Sequence, residues 1–439
     1  MHIIADHITT RLKYILDYVL TVRLGIPYRI HRVKDNITSA DEQIIFYTKQ
    51  KPGYDRVLWI PATGLLNETG IRTEKPDYGE KEEIPFLFPV NDPADIPFDL
   101  FSAVFWFLTR YEEYVSDQTD EHGRFPAEAN LAVRQGFSGQ PVVDFWIRWL
   151  RTEIKKRYPD LQINTPGPFF RLTVDVDQAY AIRHKGWLRT GAGLLRALAV
   201  RTGITPRQYV NILAGKEHDP FDTFSQLVPE ESNENFQIVF FFHTGIWGKR
   251  DKSIPVKNKA MQQVIRQCQQ RGRVGLHPSY RVMDQRDLLE KEKQRLETVT
   301  GKPVISARFH YIRFRVPGSY RLLLQNGITE DYSMGWPEIT GFRAGTAHPF
   351  PWYDLEKEEI TPLTIYPFPV MDGVLKDRGS LTPTGAVNRL EMMIDTLADI
   401  DAPFIPLWHN HALSETDGWQ GWRDVYQTMI GKAMERYSL

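Results

Sequence analysis

The chain has 439 residues and a mass of 51.0 kDa, too much for one ordinary hydrophobic core, so two domains are expected. Its 42% hydrophobic and 25% charged residues describe a globular protein, and a net charge of -1 excludes an overall attraction to nucleic acid. The single cysteine, Cys268, excludes an intrachain disulfide and a cysteine-based metal centre.

The opening stretch, MHIIADHITTRLKYILDYVL, carries Asp6 and lacks a basic leader followed by an unbroken apolar core, so it is not expected to be a signal peptide. The most apolar run, FDLFSAVFWFLTRY from Phe98, is too short to span a bilayer and predicts a buried helix. Together these place the protein in the cytoplasm, a reducing compartment. Residues 1–160 read as a smaller α/β domain. Its predicted strands are IIFYTKQ and RVLWIPA, and its predicted helices are DLFSAVFWFLTRYEEYV and VVDFWIRWLRTEIKKRY. Pro159, Pro166 and Pro168 punctuate a polar boundary.

From residue 165 to 439 apolar strands alternate with amphipathic helices. FRLTVDVD, NFQIVFFFH, RVGLH, PVISARFH, ITEDYS, LTIYPFPVM and PFIPLWH read as strands. KNKAMQQVIRQCQQRG, DQRDLLEKEKQRLETVTG and VPGSYRLLLQNG read as helices, each closed by a glycine. The alternation predicts a parallel sheet, open or closed into a distorted (β/α) barrel of about seven strands.

In such folds the C-terminal ends of the strands converge on one face. These ends carry Asp175 and Asp177, then His243, His277, Arg308 with His310, Asp331, and finally His409. Residues 175 and 177 point the same way on a strand, so both carboxylates face one spot. Such a pair is costly unless a cation lies between them or one carboxyl holds a proton. A divalent metal with carboxylate and imidazole ligands would resolve the repulsion and acidify a bound water. One aspartate could then bind metal while the other takes the water's proton. Taken singly, the Asp-x-Asp pair could cap a turn, His243 could be a hydrogen-bonded rim residue, and Arg308 a structural ion-pair partner. The case for a catalytic site rests on their co-occurrence.

The stretch from Phe170 onward resembles the polysaccharide deacetylases, carbohydrate esterase family 4. TVDVD is similar to that family's first motif, VGLHPSY to its second, SARFHY to its third and PLWH to its fifth. The resemblance implies a deacetylase-type (β/α)7 barrel. It also implies Asp175 as catalytic base, Asp177 and His277 as metal ligands, Arg308 as a brace on the base, and His409 as general acid. Zn²⁺ or a similar ion would be the cofactor, and the backbone N–H near Tyr311 would help hold the oxyanion. Arg281 stands where the second motif usually has another histidine. His310, sharing a strand face with Arg308, is the first choice for third ligand and His243 the second. Asp331 and Arg343 are placed in the fourth motif's role. Trp336, Trp352 and Tyr353 are candidates for stacking on sugar rings. GFRAGTAHPF and TRYEEYVSDQTDEHGRF resemble a bacterial subgroup that also carries an N-terminal domain. The implied activity is hydrolysis of an N-acetyl, or less readily an O-acetyl, group on a saccharide or lipid-linked sugar. A catalytically silent carbohydrate-binding protein and an amidohydrolase acting on a non-sugar amide are the alternatives.

Residues 181–210, AIRHKGWLRTGAGLLRALAVRTGITPRQYV, contain six Arg or Lys and no acidic residue. They read either as a basic amphipathic helix that contacts the inner face of an anionic membrane, or as a helix packed on its own domain with a solvated basic face.

Overall fold

The computed structural model describes residues 1–33, 43–54, 57–73, 75–91, 94–199, 203–229 and 236–438. Arg56, Asn235 and residues 200–202, at the edges of expected elements, lie outside the described residues.

The N-terminal part is built on a parallel sheet. Its strands are β1 (His2–Ala5), β2 (Arg29–Arg32), β3 (Ile44–Thr48) and β4 (Leu58–Pro61), in the order β2-β1-β3-β4. Every residue of β3 and β4 is buried, as a parallel sheet covered on both faces requires. A hairpin, β5 (Tyr78–Lys81) and β6 (Ile84–Leu87), follows.

The apolar helix Leu100–Leu108 is buried at every position, and Asp99 caps it by accepting from the Ser102 N–H at 2.9 Å. No helix among the described residues is long and apolar enough to cross a membrane. The expected single helix through TRYEEYV is instead broken at Arg110, whose φ of 55° is left-handed, and a second helix, Tyr111–Val115, begins there. Helix Val142–Arg157 matches the expectation, and no helix or strand lies between 158 and 169.

The remainder forms an eight-stranded sheet. Its strands are β7 (Arg171–Val176), β8 (Gln237–Phe242), β9 (Arg273–Leu276), β10 (Ser306–Ala307), β11 (Glu330–Asp331), β12 (Phe350–Asp354), β13 (Glu359–Ile365) and β14 (Leu407–His409). The order is β12-β13-β11-β10-β9-β8-β7-β14, and every pairing is parallel except the β12–β13 hairpin.

A ladder-closed seven-stranded barrel is not what the sheet forms. The expected strand LTIYPFPVM leaves the ladder after Ile365, and the segment that follows meets β14 only at the bridge Met371–Leu407, with Leu407 N–H donating to Val370 O at 2.9 Å. Pro367 and Pro369 supply no N–H, so a full ladder cannot form there. Helices Lys259–Arg271, Asp287–Thr300 and Gly318–Gln325 sit where the sequence placed them. One continuous apolar core runs through both parts of the chain.

Candidate functional site

Strand β7 delivers Asp175 and Asp177 to the C-terminal edge of the sheet, and β10 ends immediately before Arg308. Arg308 is fully buried and each guanidinium nitrogen is used. Nη1 donates to Asp175 Oδ1 at 2.9 Å, Nη2 to Thr173 Oγ1 at 2.8 Å and Nε to Tyr332 O at 2.8 Å. The rings of Phe241 and Phe368 stand 4.8 and 5.1 Å from it. A buried cation held this way fixes one oxygen of Asp175 and leaves Oδ2 directed to the site, 3.8 Å from His277 Nε2.

Asp177, His277 and His310 converge. Asp177 Oδ1 lies 3.1 Å from His277 Nε2 and 3.4 Å from His310 Nε2. One ligand atom from each of the three residues lies within 4.8 Å of the others. The far side of each ring is anchored: His277 Nδ1 is 2.6 Å from the Arg308 carbonyl, and His310 Nδ1 is 3.0 Å from Asp251 Oδ1. A carbonyl can only accept, so Nδ1 of His277 donates to it and Nε2 is the nitrogen turned to the Asp177 carboxylate. A proton on Nε2 or a cation between the two groups would join them.

The charges of these groups reinforce one another. Burial alone would lower His310, but Asp177 and Asp251 outweigh it and push it up to about 9. Burial would raise Asp177, yet His310, His277 and His409 hold it well below the usual carboxylate range. Two imidazoles and a carboxylate, with both rings oriented from behind, make a donor set that could hold a metal ion.

Asp251, in the loop after β8, is one of two site carboxylates, with Asp372, that sequence reading missed. Its Oδ1 accepts from Tyr280 N–H at 2.9 Å and also meets His243 Nε2 at 2.9 Å and His310 Nδ1 at 3.0 Å. His243 therefore sits behind Asp251, and its Nδ1 is buried with no partner among the described residues. Of the two expected candidates for third ligand, His310 faces Asp177 and His243 does not.

Opposite this group stands His409 at the end of β14. Its Nδ1 is 2.7 Å from Asp372 Oδ1, its backbone N–H donates to Asp372 Oδ2 at 2.7 Å, and its Nε2 lies 3.8 Å from Asp177 Oδ2. Burial opposes its charge, but Asp372, Asp177 and Asp175 raise it to about 10, so these carboxylates favour the protonated ring. Burial and the charge on His409 bring neighbouring His411 down to about 4.

These residues line a cavity of about 270 Å³ together with Tyr311, Trp419 and two residues from the N-terminal part, His122 and Arg124. Arg124 Nη1 donates to the Tyr311 carbonyl at 2.6 Å and Nη2 to Glu338 at 2.6 Å, and His122 Nδ1 lies 3.0 Å from the Tyr280 hydroxyl. Tyr311 and Ile312 both have positive φ, 60° and 53°, an uncommon pair of left-handed side-chain-bearing residues.

Several expected substrate contacts are placed elsewhere. Asp331 is buried beneath the site, accepting from Ser333 N–H and Oγ at 2.9 and 2.8 Å; burial raises it to about 6. Arg343 is buried against Glu113 at 2.8 and 2.9 Å, and Trp336 lies 4.8 Å from its guanidinium. Trp336, Trp352 and Tyr353 are core residues with no face left for a sugar, so Trp419 and Tyr311 are the aromatics available in the cavity. Arg281 is exposed and bonds Gln285 at 2.9 Å, away from the site.

Residues 1–159 match the model of a family of unknown function, DUF7033. No curated protein matches the chain. Similar solved structures include the crystal structure of a "putative polysaccharide deacetylase" from Mycobacterium smegmatis, at 16% identity and a TM-score of 0.38, covering 62% of this chain and 86% of that one. Another is the polysaccharide deacetylase Bc1974 from Bacillus cereus, at 10% identity and a TM-score of 0.26, covering 60% of this chain and 88% of that one. Likenesses this distant carry no weight for the chemistry, which rests on the residues described above.

Proposed function

We propose that the chain is a metal-dependent hydrolase that removes an acetyl group, N-linked before O-linked, from a saccharide or lipid-linked sugar. The observation that carries this reading is the set Asp177, His277 and His310, whose ligand atoms face one another while Arg308 O and Asp251 fix the imidazoles from behind. On this reading the open eight-stranded sheet is a distorted deacetylase-type barrel, with the proline-bearing segment after β13 in the place of a regular strand.

Asp177, His277 and His310 would hold a divalent ion, best Zn²⁺, which when bound supplies Lewis acidity and an acidified water. Asp175, clamped by Arg308, would take the proton from the attacking water as the oxygen adds to the acetyl carbon. The backbone N–H at Tyr311 would donate to the oxyanion that forms on that carbon. His409, protonated and oriented by Asp372, would give its proton to the departing amine as the carbon–nitrogen bond breaks, leaving acetate and a free amino sugar. With His310 as the third ligand, Arg281 would have no bearing on metal binding.

The test is acetate release from a panel of N- and O-acetylated saccharides and simple acetamides. Release from N-acetyl sugars that is abolished by a chelator and restored by zinc is the expected result. Metal-loaded protein that binds the sugars without releasing acetate would favour a silent binder, and preference for the simple amides would favour a non-sugar substrate.

A further inference from the structure

Helix Trp187–Ala199 buries none of its own residues, which is unusual for a helix so rich in leucine. Trp187 is 82% exposed, Leu188 65%, Leu195 68% and Leu198 65%. At 3.6 residues per turn these four fall within one arc of about 100°. The face that packs on the protein is a different one. Leu194 and Ala197 lean on Ile182, Tyr209 and Ile212, and at Gly193 a Cβ would stand 2.3 Å from the Tyr209 hydroxyl. Arg189 and Arg196 lie on a third sector, about 180–200° around from Trp187. The exposed apolar stripe is therefore not a core face left uncovered by accident of packing, because the helix already has a core face.

The surroundings extend both properties. The Arg189 guanidinium lies 5.6 Å from the ring of Trp247, which with Ile246 is more than half exposed in the loop after β8. The exposed charges of that loop, Lys249, Lys252 and Lys257, are positive. Residues 181–210 contain no acidic residue, although the whole chain carries a net charge of -1. A tryptophan-and-leucine stripe flanked by arginines on one helix is the composition that seats in the boundary between lipid headgroups and acyl chains.

We propose that this helix face, with the Ile246–Trp247 loop beside it, docks the protein on an anionic lipid bilayer. The helix begins ten residues after Asp177, so docking would bring the bilayer to the element that leaves the catalytic edge of the sheet. Membrane binding stands apart from the proposed hydrolysis, and its test needs no activity.

The test is flotation of the full chain with vesicles of phosphatidylcholine alone and of phosphatidylcholine with phosphatidylglycerol. The chain is expected to float with the anionic vesicles and to bind them about tenfold less in molar salt, where the screening length falls to about 3 Å. Leu195→Glu with Leu198→Glu should abolish flotation with the anionic vesicles. Arg196→Glu with Lys249→Glu should remove the preference for the anionic lipid. All four positions are exposed, so thermal unfolding should be unchanged and the loss is not one of folding. No flotation, or flotation untouched by either pair of substitutions, overturns the proposal. So does a concentration-dependent dimer that the Leu195 and Leu198 substitutions abolish, since the stripe would then be covered by a second copy.

Discussion

At the scale of single residues, His277, His310 and His409 are each oriented through Nδ1 by a carbonyl or carboxylate. His409 illustrates the consequence. Asp372 takes both its Nδ1–H and its backbone N–H, and the ring is pushed up to about 10 against the effect of burial. A general acid is active below its pKa, so kcat/KM should fall on the alkaline side as His409 loses its proton. Asp372→Asn removes the strongest interaction favouring the charged ring and should move that alkaline limb to lower pH, leaving the acid limb in place. A limb that stays where it was, measured on the same acetylated substrate, would remove His409 from the role of acid.

What the sequence disclosed of the site follows from the same scale. Asp175 and His409 lie on strands and Asp177, His277 and Arg308 follow strand ends directly, where alternation still foretells direction, whereas His310 opens the turn His310–Ile312 beyond β10, which the expected strand did not foresee. Asp251 and Asp372 sit in loops, where no period governs direction, and nothing in KRDKS or VMDGV separates them from surface acids. Trp336, Trp352, Tyr353 and Arg343 were misplaced for the converse reason. Loop sequence does not say which aromatic rings the core will claim, and these are buried where the two parts of the chain meet.

At the scale of elements, the 116–125 loop is the unexpected contributor. Asp120 Oδ1 accepts from the His122 and Arg124 N–H groups at 2.8 and 2.9 Å, and Oδ2 from Arg124 Nε at 2.7 Å. The loop is thus a small preformed cage that aims Arg124 at the Tyr311 carbonyl. Because Tyr311 and Ile312 both lie at positive φ, that turn needs such a clamp to hold its conformation at the rim of the cavity. Arg124→Ala should lower kcat by up to about a hundredfold through misplaced oxyanion contacts, with KM and bound metal little changed. Arg124→Lys, which can still reach one carbonyl, should recover part of the loss. Equal metal loss in both variants would make the loop a structural support and nothing more.

The other surprises among the elements have equally local causes. Arg110 breaks the predicted helix because its left-handed turn lets Nε reach Glu113 at 2.9 Å and Nη1 reach the Arg343 carbonyl. Arginine carries no sequence signal for that conformation. The prolines after β13 were visible, but the seven-strand expectation overrode what they say about hydrogen bonding.

At the scale of the whole molecule, the buried Glu113–Arg343 ion pair and hydrogen bonds to Asp144 join the N-terminal part to the eight-stranded sheet, alongside one apolar core. Arg23 donates to Asp144 at 2.7 Å, and Asp144 also accepts from Thr346 Oγ1 at 2.8 Å and Ala347 N–H at 3.0 Å. Arg343 meets Glu113, which burial would raise but which Arg343 and Arg110 together hold below the usual carboxylate range. Removing one partner of such a buried pair costs roughly 3–5 kcal/mol. The segments TRYEEYV and GFRAGT, more than two hundred residues apart, are therefore two halves of one joint, and that joint sets the 116–125 loop over the cavity.

All of this depends on one division of labour, in which Asp177 binds the metal and Asp175, one pleat back and clamped by Arg308, takes the proton. The most direct measurement is the metal content of purified Asp175→Asn and Asp177→Asn, read beside their rates of acetate release. Asp175→Asn should keep its metal and lose nearly all turnover, while Asp177→Asn should lose metal and turnover together. Equal metal loss in the two variants, with activity returning to both in excess zinc, would contradict the account.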